Sequence, residues 1–170
     1  MKETDFSIAK QLYLDSFPVE ERRPLQSINS LITTQIFDFL PIKHDGEFAG
    51  FANIWHFEHF IYIEHFAVLP NKRNKGIGAD FLRKLQEKYQ TNIVVEVEKP
   101  DNDTAKRRIE FYNRCGFQLL PEQYIQPPYS EELESVEMRI MLYSNPLKIQ
   151  PDFLEIQSTL HKQVYNYQCF

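Results

Sequence analysis

Arg73-Asn74-Lys75-Gly76-Ile77-Gly78 constrains this chain more than any other stretch. The chain holds five glycines among 170 residues, and two of them stand here with one residue between them. The preceding segment, Tyr62 to Pro70, reads as a strand. The following one carries Phe81, Leu82 and Leu85 at helical spacing. Strand, basic loop, glycine pair and helix together predict an anion cradle. Backbone N–H groups at a helix start point outward unpaired, and the helix dipole favours negative charge there. Glycine lets a phosphate approach the main chain without a Cβ in the way.

Spacing sorts the phosphate-binding motifs. A P-loop needs lysine directly after its last glycine, then Ser or Thr; here Lys75 precedes Gly76 and Ala79 follows Gly78. A dinucleotide fingerprint needs a third glycine where Phe81 stands. What remains is Arg-x-x-Gly-x-Gly after Phe66-Ala67-Val68-Leu69-Pro70. This resembles the acetyl-CoA loop of the GNAT acyltransferases. A second segment, Phe111-Tyr112-Asn113-Arg114-Cys115-Gly116-Phe117, is similar to the other diagnostic stretch of that family. The resemblance covers residues 5 to 143. It implies that Phe66, Ala67, Val68, Arg73, Asn74, Lys75, Gly76, Ile77, Gly78 and Ala79 line the coenzyme, with Asn102 as a further contact. It implies that Tyr112 lies near the coenzyme sulfur, where it can protonate the leaving thiolate. One departure stands out: Arg108 occupies the place where the family carries alanine, and Ala105 lies a turn earlier.

The rest of the sequence suits such a protein. Its length fits one domain, and 14 Phe with 9 Tyr supply a sizeable core. A net charge of −5 argues against non-specific nucleic-acid binding. No apolar run is long enough to span a membrane, and the N-terminal residues do not read as a signal peptide. Two cysteines, Cys115 and Cys169, make no disulfide framework, so a reduced, cytoplasmic protein is expected.

The pattern predicts helices at 5–17, capped by Thr4, and after Pro24. Strands follow at 36–42, 47–57 and 60–68, with Asp45-Gly46 as a hairpin turn. Next come a helix at 76–89, a strand at 93–98 and a helix at 104–114 stopped by Gly116. Two strands follow near 117–124 and 136–143, and then a helix opened by Pro151 with Phe153, Ile156, Leu160 and Val164 on one stripe. This order gives a mixed α/β (α+β) fold: a central, mostly antiparallel sheet with helices on both faces. The family resemblance adds a splay between the strands at 60–68 and 93–98, and an acyltransferase domain over residues 1–148. The extension at 149–170 packs on this subunit or on a second one.

Transfer of an acetyl group to an amine needs a base. Glu64 and Glu96 are carboxylates inside otherwise apolar strands, where packing alone does not place charge. Alternation sets Glu64 on the face of Phe66 and Val68, and Glu96 on the face of Val94 and Glu98. His56, His59 and His65 cluster in sequence but lack the cysteine and spacing of a zinc site, so no metal is expected. In the family, the segment after the first helix borders the acceptor, and the late hairpin lies on the same side. Here these are Phe17 to Arg23, and Tyr124 to Tyr129 with Glu131, Glu132 and Glu134; their carboxylates suit a cationic amine. The expectation is an acetyl-CoA-dependent N-acetyltransferase acting on a small-molecule or peptide amine, as monomer or homodimer. The alternative is an acyl-CoA-binding module of the same fold without transfer.

Overall fold

The computed structural model describes residues 3–167; the expected Thr4 cap and Cys169 lie outside the residues whose side chains it describes. The chain opens with helix α1 (Glu3–Ser16) and, after Pro24, α2 (Leu25–Leu31). Strands β1 (Phe37–His44) and β2 (Glu47–His56) form a hairpin. Both residues of its turn, Asp45 and Gly46, take positive φ (53° and 77°), the geometry that matches strand twist. Then come β3 (Phe60–Val68), α3 (Ile77–Tyr89), β4 (Asn92–Glu98) and α4 (Asp103–Arg114). The chain continues through β5 (Gln118–Leu119), β6 (Tyr124–Gln126) and β7 (Val136–Tyr143) to α5 (Phe153–Thr159), which runs into a π-helical turn at Leu160–Val164.

The strands form one seven-stranded sheet in the order β1-β2-β3-β4-β7-β5, with β6 also on β7. Every pairing is antiparallel except β3 with β4. The single strand expected near 117–124 is two short strands on opposite halves of β7. Pro121 stands in the interruption, where it has no N–H for the ladder.

Each face of the sheet builds its own core. On one, α1 (Ala9, Leu12, Tyr13), α2 (Ile28) and the C-terminal stripe (Ile156, Leu160, Val164) pack on Phe51, Trp55, Tyr62 and Val94. On the other, α3 (Leu82, Leu85) and α4 (Ile109, Tyr112) pack on Ile61, Ile63, Val95 and Val97. Ile156 and Leu160 are fully buried against this chain's own residues. Phe6, near the start of α1, is 48% exposed. It lies a turn beyond Ala9, at the edge of the layer.

β3 departs from regular alternation. Asn53 pairs with His65, but Ile54 pairs with Ile63, so Glu64 is an extra residue in the ladder. Such a bulge shifts side-chain parity by one. The expectation that Glu64 shares a face with Phe66 and Val68 is therefore wrong. Glu64 and His65 both face α1, whereas Phe66 packs on Phe81 and Phe111 across the sheet.

Candidate active site

The loop before α3 is exposed and takes left-handed backbone conformations. Asn74 has φ 60° and Gly76 has φ 75°, both left-handed, which glycine adopts freely and most residues do not. Gly76 caps α3, and no side chain satisfies the first N–H groups of the helix. Ile77 anchors the loop by inserting between Ile42 and Ala49. At Gly78 a Cβ would stand 3.3 Å from the Phe111 ring and 3.4 Å from that of Phe66, so helix and rings approach as closely as glycine permits. Beside the loop lies a cleft of about 340 Å³ whose lining includes Lys43, His44, Lys75 and Lys84, with Asp80 paired to Lys84 at 2.7 Å. Exposed donors, a dipole end and the side chains of Lys43 and Lys75 fit a pyrophosphate. Arg73 turns back, its Nε donating to the Val68 carbonyl at 3.0 Å.

The parallel pairing of β3 with β4 runs from Phe60 with Asn92 to Ile63 with Val95, and ends there. Past that point β3 stays paired with β2, and β4 with β7. Between Glu64–Val68 and Glu96–Glu98, therefore, two strand edges face a gap, as a splayed sheet requires. The Glu64 side chain has no solvent exposure, yet the residue as a whole is only partly buried. What stays open at this position is main chain.

The two carboxylates sit in different surroundings. Glu64 Oε1 accepts from Arg23 Nε at 2.9 Å and from the Tyr129 hydroxyl at 3.0 Å; Oε2 accepts from Trp55 Nε1 at 2.9 Å. Burial alone would raise its pKa, but the Arg23 guanidinium and the Trp55 N–H hold it below the ordinary carboxylate value. Arg23 is itself pinned, donating to the Val164 carbonyl at 2.6 Å and lying over the rings of Trp55 and Tyr129. Glu96 has no cationic partner among the described residues. It accepts from Tyr124 at 2.5 Å and Tyr165 at 2.7 Å, and keeps partial exposure. Burial lifts its pKa to about 7, against the opposing pull of these hydroxyls. Both carboxylates lie on the α1 and α5 face.

Tyr112 lies on the opposite face, packed edge-on against Phe111 and Phe117. Its hydroxyl has no hydrogen-bond partner among the described residues, and burial raises its pKa, so it stays protonated. Asn102 caps α4, with Oδ1 accepting from Ala105 N at 2.9 Å. Arg108 reaches back to Glu98. The histidines do not converge. His56 pairs with Asp38, His59 with Glu155, and His65 donates from Nε2 to the Glu21 carbonyl. No group of three metal-ligating side chains occurs among the described residues.

Sequence reasoning missed Arg23, Tyr129 and Tyr165 as carboxylate partners. Arg23 and Tyr129 fall in the two segments assigned to the acceptor walls, so their neighbourhood was marked though their role was not. Tyr165 follows the last buried stripe, and nothing in its spacing points to β4.

A sheet opened between two parallel strands, with an exposed helix-start cradle at its mouth, defines an acyltransferase. The chain belongs to the acetyltransferase (GNAT) family, whose model matches residues 6–117. It is 37% identical to a GNAT-family protein of Bacteroides thetaiotaomicron whose solved structure superposes with a TM-score of 0.88, covering 97% of this chain and 94% of that one. It is 23% identical over 154 residues to "Putative acetyltransferase YjbC" of Bacillus subtilis (strain 168), spanning 89% of this chain and 78% of that protein. A phosphinothricin acetyltransferase (Pat) of Sinorhizobium meliloti, solved in complex with AcCoA, shares the fold at a TM-score of 0.60 and 15% identity, over 90% of this chain and 91% of that one.

Proposed function

We propose that the protein is an acetyl-CoA-dependent N-acetyltransferase that moves the acetyl group directly to a primary amine. The observation that carries this reading is the end of the β3–β4 ladder at Ile63 and Val95, with a carboxylate on each strand directly beyond it. Acetyl-CoA supplies the activated thioester carbonyl. Backbone N–H groups at Ile77–Ala79 receive the pyrophosphate, and Lys75 adds charge to the loop. The open edge of β3 near Val68 offers main-chain groups to the pantetheine arm and to the negative charge that develops on the thioester oxygen.

Glu96 acts as the base. A primary ammonium with a solution pKa of about 10.4 must lose one proton before its nitrogen can attack. A carboxylate near pKa 7 is matched to that task at neutral pH, better than one held low by an ion pair. Glu64 instead fixes Arg23 and Tyr129 in the acceptor wall. Glu96 first passes the ammonium proton on to solvent; as the new C–N bond forms and the C–S bond breaks, it takes the second amine proton, and the Tyr112 hydroxyl gives its proton to the departing sulfur and is reprotonated from solvent. The acceptor enters from the α1 and α5 face, where Glu96, Tyr124 and Tyr165 lie. The S. meliloti neighbour, captured with AcCoA, supports the donor.

The test is acetyl-CoA turnover against a panel of amines, read as thiol release and acetyl-amine formation. Coenzyme binding without transfer to any amine would leave an acyl-CoA-binding module instead. Absence of coenzyme binding would defeat both.

A further inference from the structure

A second cavity lies away from the splay, between α1, α2 and the outer strands. It measures about 110 Å³ and is walled by Ala9, Tyr13, Ile28, Phe39 and Phe51. Its one fully buried polar wall residue is Asn53, 1% exposed, on β2 between Ala52 and Ile54. Phe6 and Ile32, 48% and 44% exposed, form an apolar rim.

The orientation of the Asn53 amide follows from its neighbour. His65 Nε2 lies 3.0 Å from the Glu21 carbonyl, which can only accept, so Nε2 carries the proton. Burial keeps the ring neutral, and Nδ1 is then an acceptor. Asn53 Nδ2, 3.4 Å away, donates to it. Support of His65 accounts for the amide nitrogen. It does not account for Oδ1, which is buried without a partner among the described residues. An unpaired buried acceptor is costly, and an apolar residue of similar shape would avoid that cost.

We propose that this cavity binds a neutral small molecule with one ring-sized apolar group and one N–H or O–H donor, the donor meeting Asn53 Oδ1. The inference stands apart from the transferase reading, because no residue of the gap or the loop lines the cavity. Size agrees: an apolar cavity of about 150 Å³ holds one benzene ring, and this one is open at its rim. Charge agrees as well, since the ring-contacting walls carry none and Lys10 is the only ionisable lysine or carboxylate group on the lining.

Phenol is the probe, with toluene as the same ring lacking the donor. Binding is followed by chemical-shift perturbation of the amides of Ala9, Ile28 and Asn53. The expected result is saturable phenol binding, with toluene about fivefold weaker, the worth of one net hydrogen bond. Asn53→Leu should bring phenol to the level of toluene. Ile32→Trp, at the exposed rim, should block both and leaves the proposal testable if the buried variant does not fold. Retained acetyl-CoA binding serves as the folding control. Absence of saturable phenol binding, meaning that Asn53 holds water only, overturns the proposal. So does phenol binding unchanged in Ile32→Trp or in a folded Asn53→Leu.

Discussion

Glu64 and Glu96 hold equivalent places on diverging strands: each is the first residue beyond the last β3–β4 pair, and both face α1 and α5. One is neutralised by Arg23 and the other only solvated by tyrosines. Their substitutions should therefore fail in different ways. Glu96→Gln should lower kcat/KM by ~10²–10⁴-fold with little change in coenzyme affinity. Glu64→Gln strands a largely buried guanidinium and should cost about 3–5 kcal/mol of stability before any effect on chemistry is seen. Denaturant melts beside steady-state kinetics separate the two, and equal losses of stability would undo this division of labour.

The pH dependence follows from Glu96. A base works deprotonated, so kcat/KM should rise with pH around a midpoint near 7. The hydroxyls of Tyr124 and Tyr165 stabilise the ionised carboxylate. Tyr165→Phe should therefore move the midpoint upward, and a downward shift would contradict the assignment.

The same raised pKa has a sign for stability. The folded state holds the Glu96 proton more tightly than the unfolded chain does. This contribution is full below the ordinary carboxylate value and is lost as pH rises through about 7. Glu96→Gln should flatten that part of the stability profile, as thermal melts across pH 4–8 would record.

Tyr112→Phe should slow turnover by ~10²-fold or somewhat more, and leave acetyl-CoA binding intact. The hydroxyl has no hydrogen-bond partner among the described residues, so stability should hold. Unchanged turnover with a poor leaving thiol would remove Tyr112 from the reaction.

The C-terminal segment is predicted to be integral to the domain. Leu160 is fully buried in the core beneath α1. Leu160→Ala should cost about 2–5 kcal/mol, measured by chemical denaturation. A cost below about 1 kcal/mol would mark the segment as a loosely attached addition.

Local chemistry made much of this legible. The Asp45-Gly46 turn, the Gly76 cap and the Gly116 stop are residues whose backbone demands are visible in a single sequence. The α3 loop was readable because anion binding at a helix start needs particular residues at particular spacing. The bulge at Glu64 was not. No glycine or proline marks it, and alternation continued across it gives the wrong face for Glu64. The partners of the carboxylates were equally hidden, since Arg23, Tyr129 and Tyr165 come together only through tertiary packing. The ranking of Glu96 above Glu64 as base rests on those partners.

One inserted residue in β3 thus has an architectural result. Upstream of Glu64 the strand's odd positions look toward α3 and α4; downstream its even positions do, as Phe66 records. Two neighbours in the chain, Glu64 and His65, consequently serve a single compartment, a density of function that a regular strand denies to adjacent residues. Deleting either would turn the segment leading into the loop inside out, exchanging its two audiences of side chains while leaving composition almost untouched. The length of this strand, counted to the residue, is as much a part of the candidate site as any functional group in it.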